Sequence, residues 1–179
     1  LPHGAGIGGG SSDAAAVLRH FNVRDNAEQL GADVPVCLLA KAQRMQGIGE
    51  VLTPLPDAPP CAAVLVNPGV HIPTPQVFKA LVQKSNTPMP TNLPALHSAG
   101  DLIAWLALMR NDLQPPALSI SPIINDVLTA LSHHSPLVRM SGSGATCFAL
   151  FKSRAQADQA AQTLAQANPT WWVQPTTLS

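Results

Sequence analysis

The chain has no net charge: 10 lysines and arginines offset 10 aspartates and glutamates over 179 residues. Nucleic acids and anionic membrane surfaces hold their partners through an excess of positive charge, so neither is expected here. A local anion site made of backbone N–H groups is untouched by that argument. Cysteine is scarce, and the three present show neither metal spacing nor the even count of a disulfide framework. His133 and His134 are adjacent and cannot share a helix face, and the other histidines follow no zinc spacing. No metal centre is expected from side-chain ligands. There is no run of 18 apolar residues and no signal-peptide pattern. A cytoplasmic, reducing setting and no membrane span are expected. The chain also lacks an initiator methionine, and no strand precedes its first motif. It is therefore expected to be a fragment whose first part is missing, cleaved off or carried by another chain. Its length suffices for one sizeable core or two small ones.

What is present begins at once. Gly4-Ala5-Gly6-Ile7-Gly8-Gly9-Gly10 places five glycines in seven positions, followed by Ser11-Ser12-Asp13 and an alanine run. Glycine admits φ > 0 and removes the Cβ that would hold a ligand away from the backbone. A loop of this kind feeding a helix N-terminus can turn several N–H groups into one concavity, with the helix dipole in support. A phosphate chain is the simplest ligand. Gly4, Gly6 and Gly9 match the dinucleotide fingerprint, but no strand and no βαβ repeat accompany them. A P-loop is excluded because no Lys-Ser/Thr pair closes the glycines. A flexible linker explains the glycines and serines but not the helical run that follows.

Ala14 to Phe21 continues the helix, with Val17, Leu18 and Phe21 as its expected buried side. In Gly31-Ala32-Asp33-Val34-Pro35, the aspartate reads either as a helix-cap or turn acid beside Gly31 or as a catalytic carboxylate. Residues 45–55 read as a glycine turn leading to a short strand. Cys61 to Val66 is an apolar strand ending at Asn67-Pro68-Gly69. Pro73 and Pro75 forbid a helix interior there, and a helix is expected to start near Pro75. Strand end, proline loop and helix start form a common ligand-binding corner, and Phe78 stands there either against the core or against a ligand. Residues 79–100 carry few periodic signals. Asp101–Met109 reads as a buried helix that Pro115-Pro116 keeps from continuing. A helix over Ile123–Leu131, the glycine-serine loop Met140–Ala145, an alternating strand to Phe151, a helix over Arg154–Ala167 and a short strand at Trp171–Val173 complete the pattern. This order predicts an α+β sandwich with helices on one face of a sheet. Asn111 reads as a capping residue, and Cys147 as a small buried hydrophobe.

The string from Leu1 to Ala15, the Gly31–Pro35 stretch and Met140–Phe148 together resemble, in order, three motifs of the GHMP kinases, which phosphorylate sugars, mevalonate-type alcohols and homoserine. The triple glycine and the string Pro68-Gly69-Val70-His71-Ile72-Pro73-Thr74-Pro75 resemble one branch, whose acceptor alcohol carries a cytidine diphosphate. The resemblance implies a two-domain fold. Residues 1–60 would be the C-terminal part of an ATP-binding domain, and 61–179 a ferredoxin-like α/β sandwich. It implies that Pro2, Gly4, Ala5, Gly6, Ile7, Gly8, Gly9, Gly10, Ser11 and Ser12 hold ATP phosphates, with Mg²⁺ as cofactor. It implies that Asp33 takes the proton of the attacking hydroxyl of a small-molecule substrate. Thr74, Pro75 and Phe78 would border the base, and Ser141, Gly142, Ser143 and Gly144 would close on the substrate phosphates. The family's lysine and adenine-binding region have no counterpart in this chain, so they would come from a missing N-terminal segment, in cis or as a second chain. The link between Phe21 and Gln29 is shorter than the family's. Other GHMP kinases, or a folded fragment that only binds nucleotide, remain the alternative readings.

Overall fold

The computed structural model describes residues 4–23 and 25–178. Gly8–Ala58 forms one unit, and the residues up to Ile7 join those from Pro59 onward in the other.

In the smaller unit, helix α1 (Gly9–His20) lies beside the short helix α2 (Val34–Leu39), joined through a 3₁₀ turn over Ala27–Leu30. Pro35 stands in the first turn of α2, where its missing N–H would have no partner anyway. The apolar centre is small: Ala15, Ala27 and Val34 are buried, with Ala14, Leu18, Cys37 and Leu38 packed against them. The expected buried side of α1 is therefore corrected. Leu18 packs inward, but Val17 and Phe21 are 57% and 69% exposed. The two lie four residues apart on a shared stripe of the helix, and it is the alanine stripe that meets the rest of this unit. Strands β1 (Gln43–Gln46) and β2 (Val51–Pro54) pair antiparallel, Gln46 opposite Val51, as a hairpin where one strand was expected. Gly47 and Gly49 supply positive φ in its turn, and the Glu50 carboxylate accepts the Ile48 N–H at 2.6 Å.

In the larger unit, β3 (Cys61–Asn67), β4 (Val138–Met140), β5 (Cys147–Phe151) and β6 (Trp172–Leu178) form an antiparallel sheet in the order β4-β5-β3-β6. The connections are helical after β3 and after β5, which is the β-α-β-β-α-β pattern, with β5 and β3 at the centre of the sheet and β4 and β6 at its edges. Alternate residues of β3 face opposite ways. Ala62, Val64 and Val66 enter the main core with residues of α5 (Gln114–Ile120), α6 (Ile123–Ser132) and α7 (Arg154–Ala167). Cys61 and Ala63 enter a second core with Leu102 and Ile103 of α4 (Ala99–Ala107). The expectation of helices on one face is thus corrected. β3 has no polar side to offer water, so both of its faces need cover.

Three helix starts follow from short-range chemistry. Ser98 Oγ accepts the Asp101 N–H at 3.2 Å while Asp101 Oδ2 accepts the His97 N–H at 3.1 Å, a reciprocal cap that opens α4. Hydrogen bonding of the Ser98 side chain to the Asp101 carboxylate, and next that of the His97 N–H, holds this carboxyl below its ordinary range. Pro115 and Pro116 end no helix. They sit in the first turn of α5 and start one. Helix α3 (Thr74–Ala80) begins with Pro75 in its first turn, where the sequence places it.

Candidate functional site

The glycine loop is left-handed at every second residue: φ is 63° at Gly4, 70° at Gly6 and 69° at Gly8. Its first half is seated tightly on the larger unit. A Cβ on Gly4 would lie 2.8 Å from His71 Cε1, and one on Gly6 would overlap the Gly144 carbonyl. Ala5 between them is 6% exposed. Its second half is open, since a Cβ on Gly8 or Gly10 would meet nothing within 4 Å. Gly8 caps α1 without a side-chain bond, and the first helical bond runs from the Ser12 N–H to the Gly8 carbonyl at 2.8 Å. The N–H groups of Gly9, Gly10 and Ser11 thus precede the helical ladder. The Ser12 hydroxyl is 3.7 Å from Cys37 Sγ. Pro2 lies outside the described residues.

Within the smaller unit, α1 and α2 bring Ser11 beside the Gly31 turn: the Ser11 hydroxyl is 4.0 Å from where a Gly31 Cβ would stand. Asp33 follows that turn at the N-cap of α2. Its backbone carbonyl accepts from the Cys37 N–H at 3.2 Å, but its side chain makes no capping bond and is exposed. The cap reading of this carboxylate therefore has no support in the geometry.

The Ser141–Gly144 loop belongs to the larger unit and is held from several sides. The Gly144 N–H donates to the Ser141 carbonyl at 2.9 Å, and the Ser141 N–H to the Thr146 carbonyl at 2.8 Å. Asn111 Nδ2 donates to the carbonyls of Met140 at 2.9 Å and Gly142 at 2.8 Å, while its Oδ1 accepts the Leu113 N–H at 3.0 Å. Asn111 thus closes a side-chain turn ahead of α5, whose N-cap is Leu113 with no side-chain cap bond, rather than capping the helix, and it also carries the loop. The hydroxyls of Thr74 and Ser143 are 2.7 Å apart, which brings together two of the residues expected at the acceptor side. Pro75 is exposed beside them. Phe78 is 52% exposed, so it is not a core residue, and its neighbour Val77 takes that place.

Two residues missed by sequence reasoning link these loops. Asn67, at the end of β3, donates to the Thr146 hydroxyl at 2.9 Å, and Thr146 donates to the Ala5 carbonyl. Both are buried. The available signal was an asparagine closing an otherwise apolar strand and a threonine entering one. Next to Thr146, burial pushes the Cys147 thiol up to about 12, so it is no nucleophile. Among the described residues no three histidine, cysteine, aspartate or glutamate side chains group as metal ligands, and no helix is long and apolar enough to cross a membrane.

Residues 92–170 match the family described as GHMP kinases C terminal. The chain is 55% identical over 186 aligned residues to a 4-diphosphocytidyl-2-C-methyl-D-erythritol kinase from Dinoroseobacter shibae, covering 99% of this chain and 65% of that protein. It is 53% identical to the protein of that name from Paracoccus denitrificans, covering 97% of this chain and 64% of that one. With the one from Cereibacter sphaeroides the identity is 49%, over 98% of this chain and 67% of the relative. The chain thus spans slightly under two thirds of the first two relatives. A crystal structure of 4-(cytidine 5'-diphospho)-2C-methyl-D-erythritol kinase superposes with a TM-score of 0.72 at 32% identity, over 98% of this chain and 67% of that one. Homoserine kinase from Cytophaga hutchinsonii shares the fold, at a TM-score of 0.66 and 15% identity, over 100% of this chain and 67% of that one. On this likeness, carried by both units and by the glycine loop itself, the chain belongs to the GHMP kinase family.

Proposed function

We propose that the protein containing this chain transfers the γ-phosphoryl group of ATP to the 2-hydroxyl of 4-diphosphocytidyl-2-C-methyl-D-erythritol, a step of non-mevalonate isoprenoid precursor synthesis. The observation that carries this reading is the glycine loop, left-handed at Gly4, Gly6 and Gly8 and open at Gly8 and Gly10, in a chain so close to kinases of that name. Phosphoryl transfer needs the phosphates held in line, their charge offset and the alcohol oriented. The N–H groups from Gly8 to Ser11 would bind the ATP phosphates. The open space at Gly8 and Gly10 fits such a ligand. Mg²⁺ would offset phosphate charge. It would be held in part through the phosphate oxygens, beside the Ser11 and Ser12 hydroxyls.

Asp33 would take the proton of the acceptor hydroxyl, because its carboxylate is exposed and committed to no cap. Thr74, Pro75 and Phe78 would border the cytosine, with the exposed Phe78 ring as a stacking surface. Ser141 to Gly144 would meet the substrate diphosphate. Residues 1–60 would complete an ATP-binding domain only with an upstream segment, in cis or as a second chain. The relatives' greater length and the exposed Val17 and Phe21 support this. The deciding experiment offers the full-length protein 4-diphosphocytidyl-methylerythritol, homoserine, mevalonate and galactose under ATP. Phosphorylation of the cytidyl compound alone is expected, and preference for any other overturns the substrate assignment.

A further inference from the structure

The Ala5 carbonyl is held by a hydrogen-bonded chain whose direction is fixed at each step. The Gly69 N–H can only donate, so the oxygen of the Asn67 carboxamide lies 2.8 Å from it. That leaves Asn67 Nδ2, which has only hydrogens to give, facing the Thr146 hydroxyl at 2.9 Å. The hydroxyl accepts there and spends its one proton on the Ala5 carbonyl. The Thr146 N–H donates to the same carbonyl at 3.3 Å. Asn67 is 2% exposed and Thr146 fully buried, so no water competes for these groups and each bond polarises the next.

The consequence lies one atom further along the chain. The Ala5–Gly6 peptide is trans, so the Gly6 N–H points opposite to the Ala5 carbonyl. Pinning the carbonyl on Thr146 therefore aims the Gly6 N–H away from β5. Among the described residues that N–H has no hydrogen-bond partner. The close fit of Gly6 on Gly144 keeps the peptide from turning over.

We propose that Asn67 and Thr146 are positioning residues for the nucleotide: through the Ala5 carbonyl they set the Gly6 N–H as a donor to an anionic phosphate oxygen. The proposal rests on the nucleotide-binding reading of the loop. Neither side chain reaches the ligand itself, and their effect passes through one peptide plane.

The test uses the full-length protein and a non-hydrolysable ATP analogue in calorimetry, with steady-state kinetics alongside. Thr146→Val removes the hydroxyl at constant shape, and Thr146→Ser keeps it. A net hydrogen bond is worth a factor of about 3 to 10. Thr146→Val is expected to raise the analogue Kd and the KM for ATP by about that factor with kcat little changed. Thr146→Ser should restore wild-type affinity. Asn67→Leu in the Thr146→Val background should add little, since both act on one carbonyl. Wild-type affinity in Thr146→Val, with or without a lower melting temperature, overturns the proposal and leaves the nucleotide reading standing. A wild-type protein that binds no ATP analogue overturns that reading and this inference with it.

Discussion

Asp33 is a carboxylate with a backbone role and no side-chain role in its own unit: its carbonyl accepts in the first turn of α2, while the acid group caps nothing. Replacing it by asparagine keeps the shape and removes the proton acceptor. In the full-length protein Asp33→Asn is expected to lower kcat by about 10²–10⁴ with nucleotide Kd nearly unchanged, and wild-type kcat would return the residue to a turn acid. Cys147 gives a prediction of another kind. Its thiol ionises at about 12 in the fold against 9.0 for an ordinary thiol, because burial penalises the thiolate. The folded state therefore keeps its proton where the unfolded chain loses it. That contribution is fully present below about pH 9 and fades as the pH rises towards 12. Urea midpoints followed from about pH 8 to about pH 11 should fall more steeply for the wild type than for Cys147→Ala, and parallel slopes would refute the assignment.

At the scale of elements, the glycine loop does two things with one residue type. At Gly6 a Cβ would drive into the Gly144 carbonyl, and at Gly8 it would enter empty space. Gly6→Ala is expected to cost stability well beyond the ~1–2 kcal/mol of the left-handed backbone alone. Gly8→Ala should cost no more than that strain yet weaken ATP-analogue binding. Paired thermal melts and calorimetry check both, and unchanged affinity in Gly8→Ala would mean that the loop holds no phosphate. The elements also show what could be read beforehand. Helix α7, strand β3 and the start of α3 were legible because each is set by local periodicity or by a proline at a first turn. Helix α5 was not: Pro115-Pro116 is equally a stop and a start, and which it becomes depends on where the preceding chain ends. The second face of β3 is an apolar run that states burial without stating by what, so α4 could be identified as a helix but not placed. In the candidate site, Gly4–Ser12 was marked by composition, while Asp33 and the Ser141–Gly144 loop were marked by the resemblance to the GHMP kinases. Asn67 and Thr146 were not, because their meaning lies in a hydrogen bond between residues 79 apart in sequence.

At the scale of the molecule, the smaller unit leaves Val17, Phe21, Leu30 and Ile48 at 57%, 69%, 63% and 84% exposure. Scattered apolar side chains are ordinary on a surface, but these four, with Val23, Leu39, Met45 and Val51 also exposed among the described residues, are many for a unit of 51 residues. Together with relatives of greater length, they lead to the expectation that this chain alone shows no turnover in a coupled ADP-release assay. Adding the relatives' upstream segment, fused or as a separate chain, should restore it. Robust activity of the chain alone would exclude the need for that segment. The sheet of the larger unit raises a different matter, its behaviour in a crowded solution. Its two rims are β4, three residues long, and β6, which places Pro175 opposite Val64 in mid-strand. A rim strand offers a ladder of free donors and acceptors to any passing strand. A stub of three residues makes a poor template, and a proline in the other rim removes one donor from the row. The same strand order that brings the 141–146 loop to the end of β3 thus leaves the sheet with no long unbroken margin on which a second chain could grow a fibre.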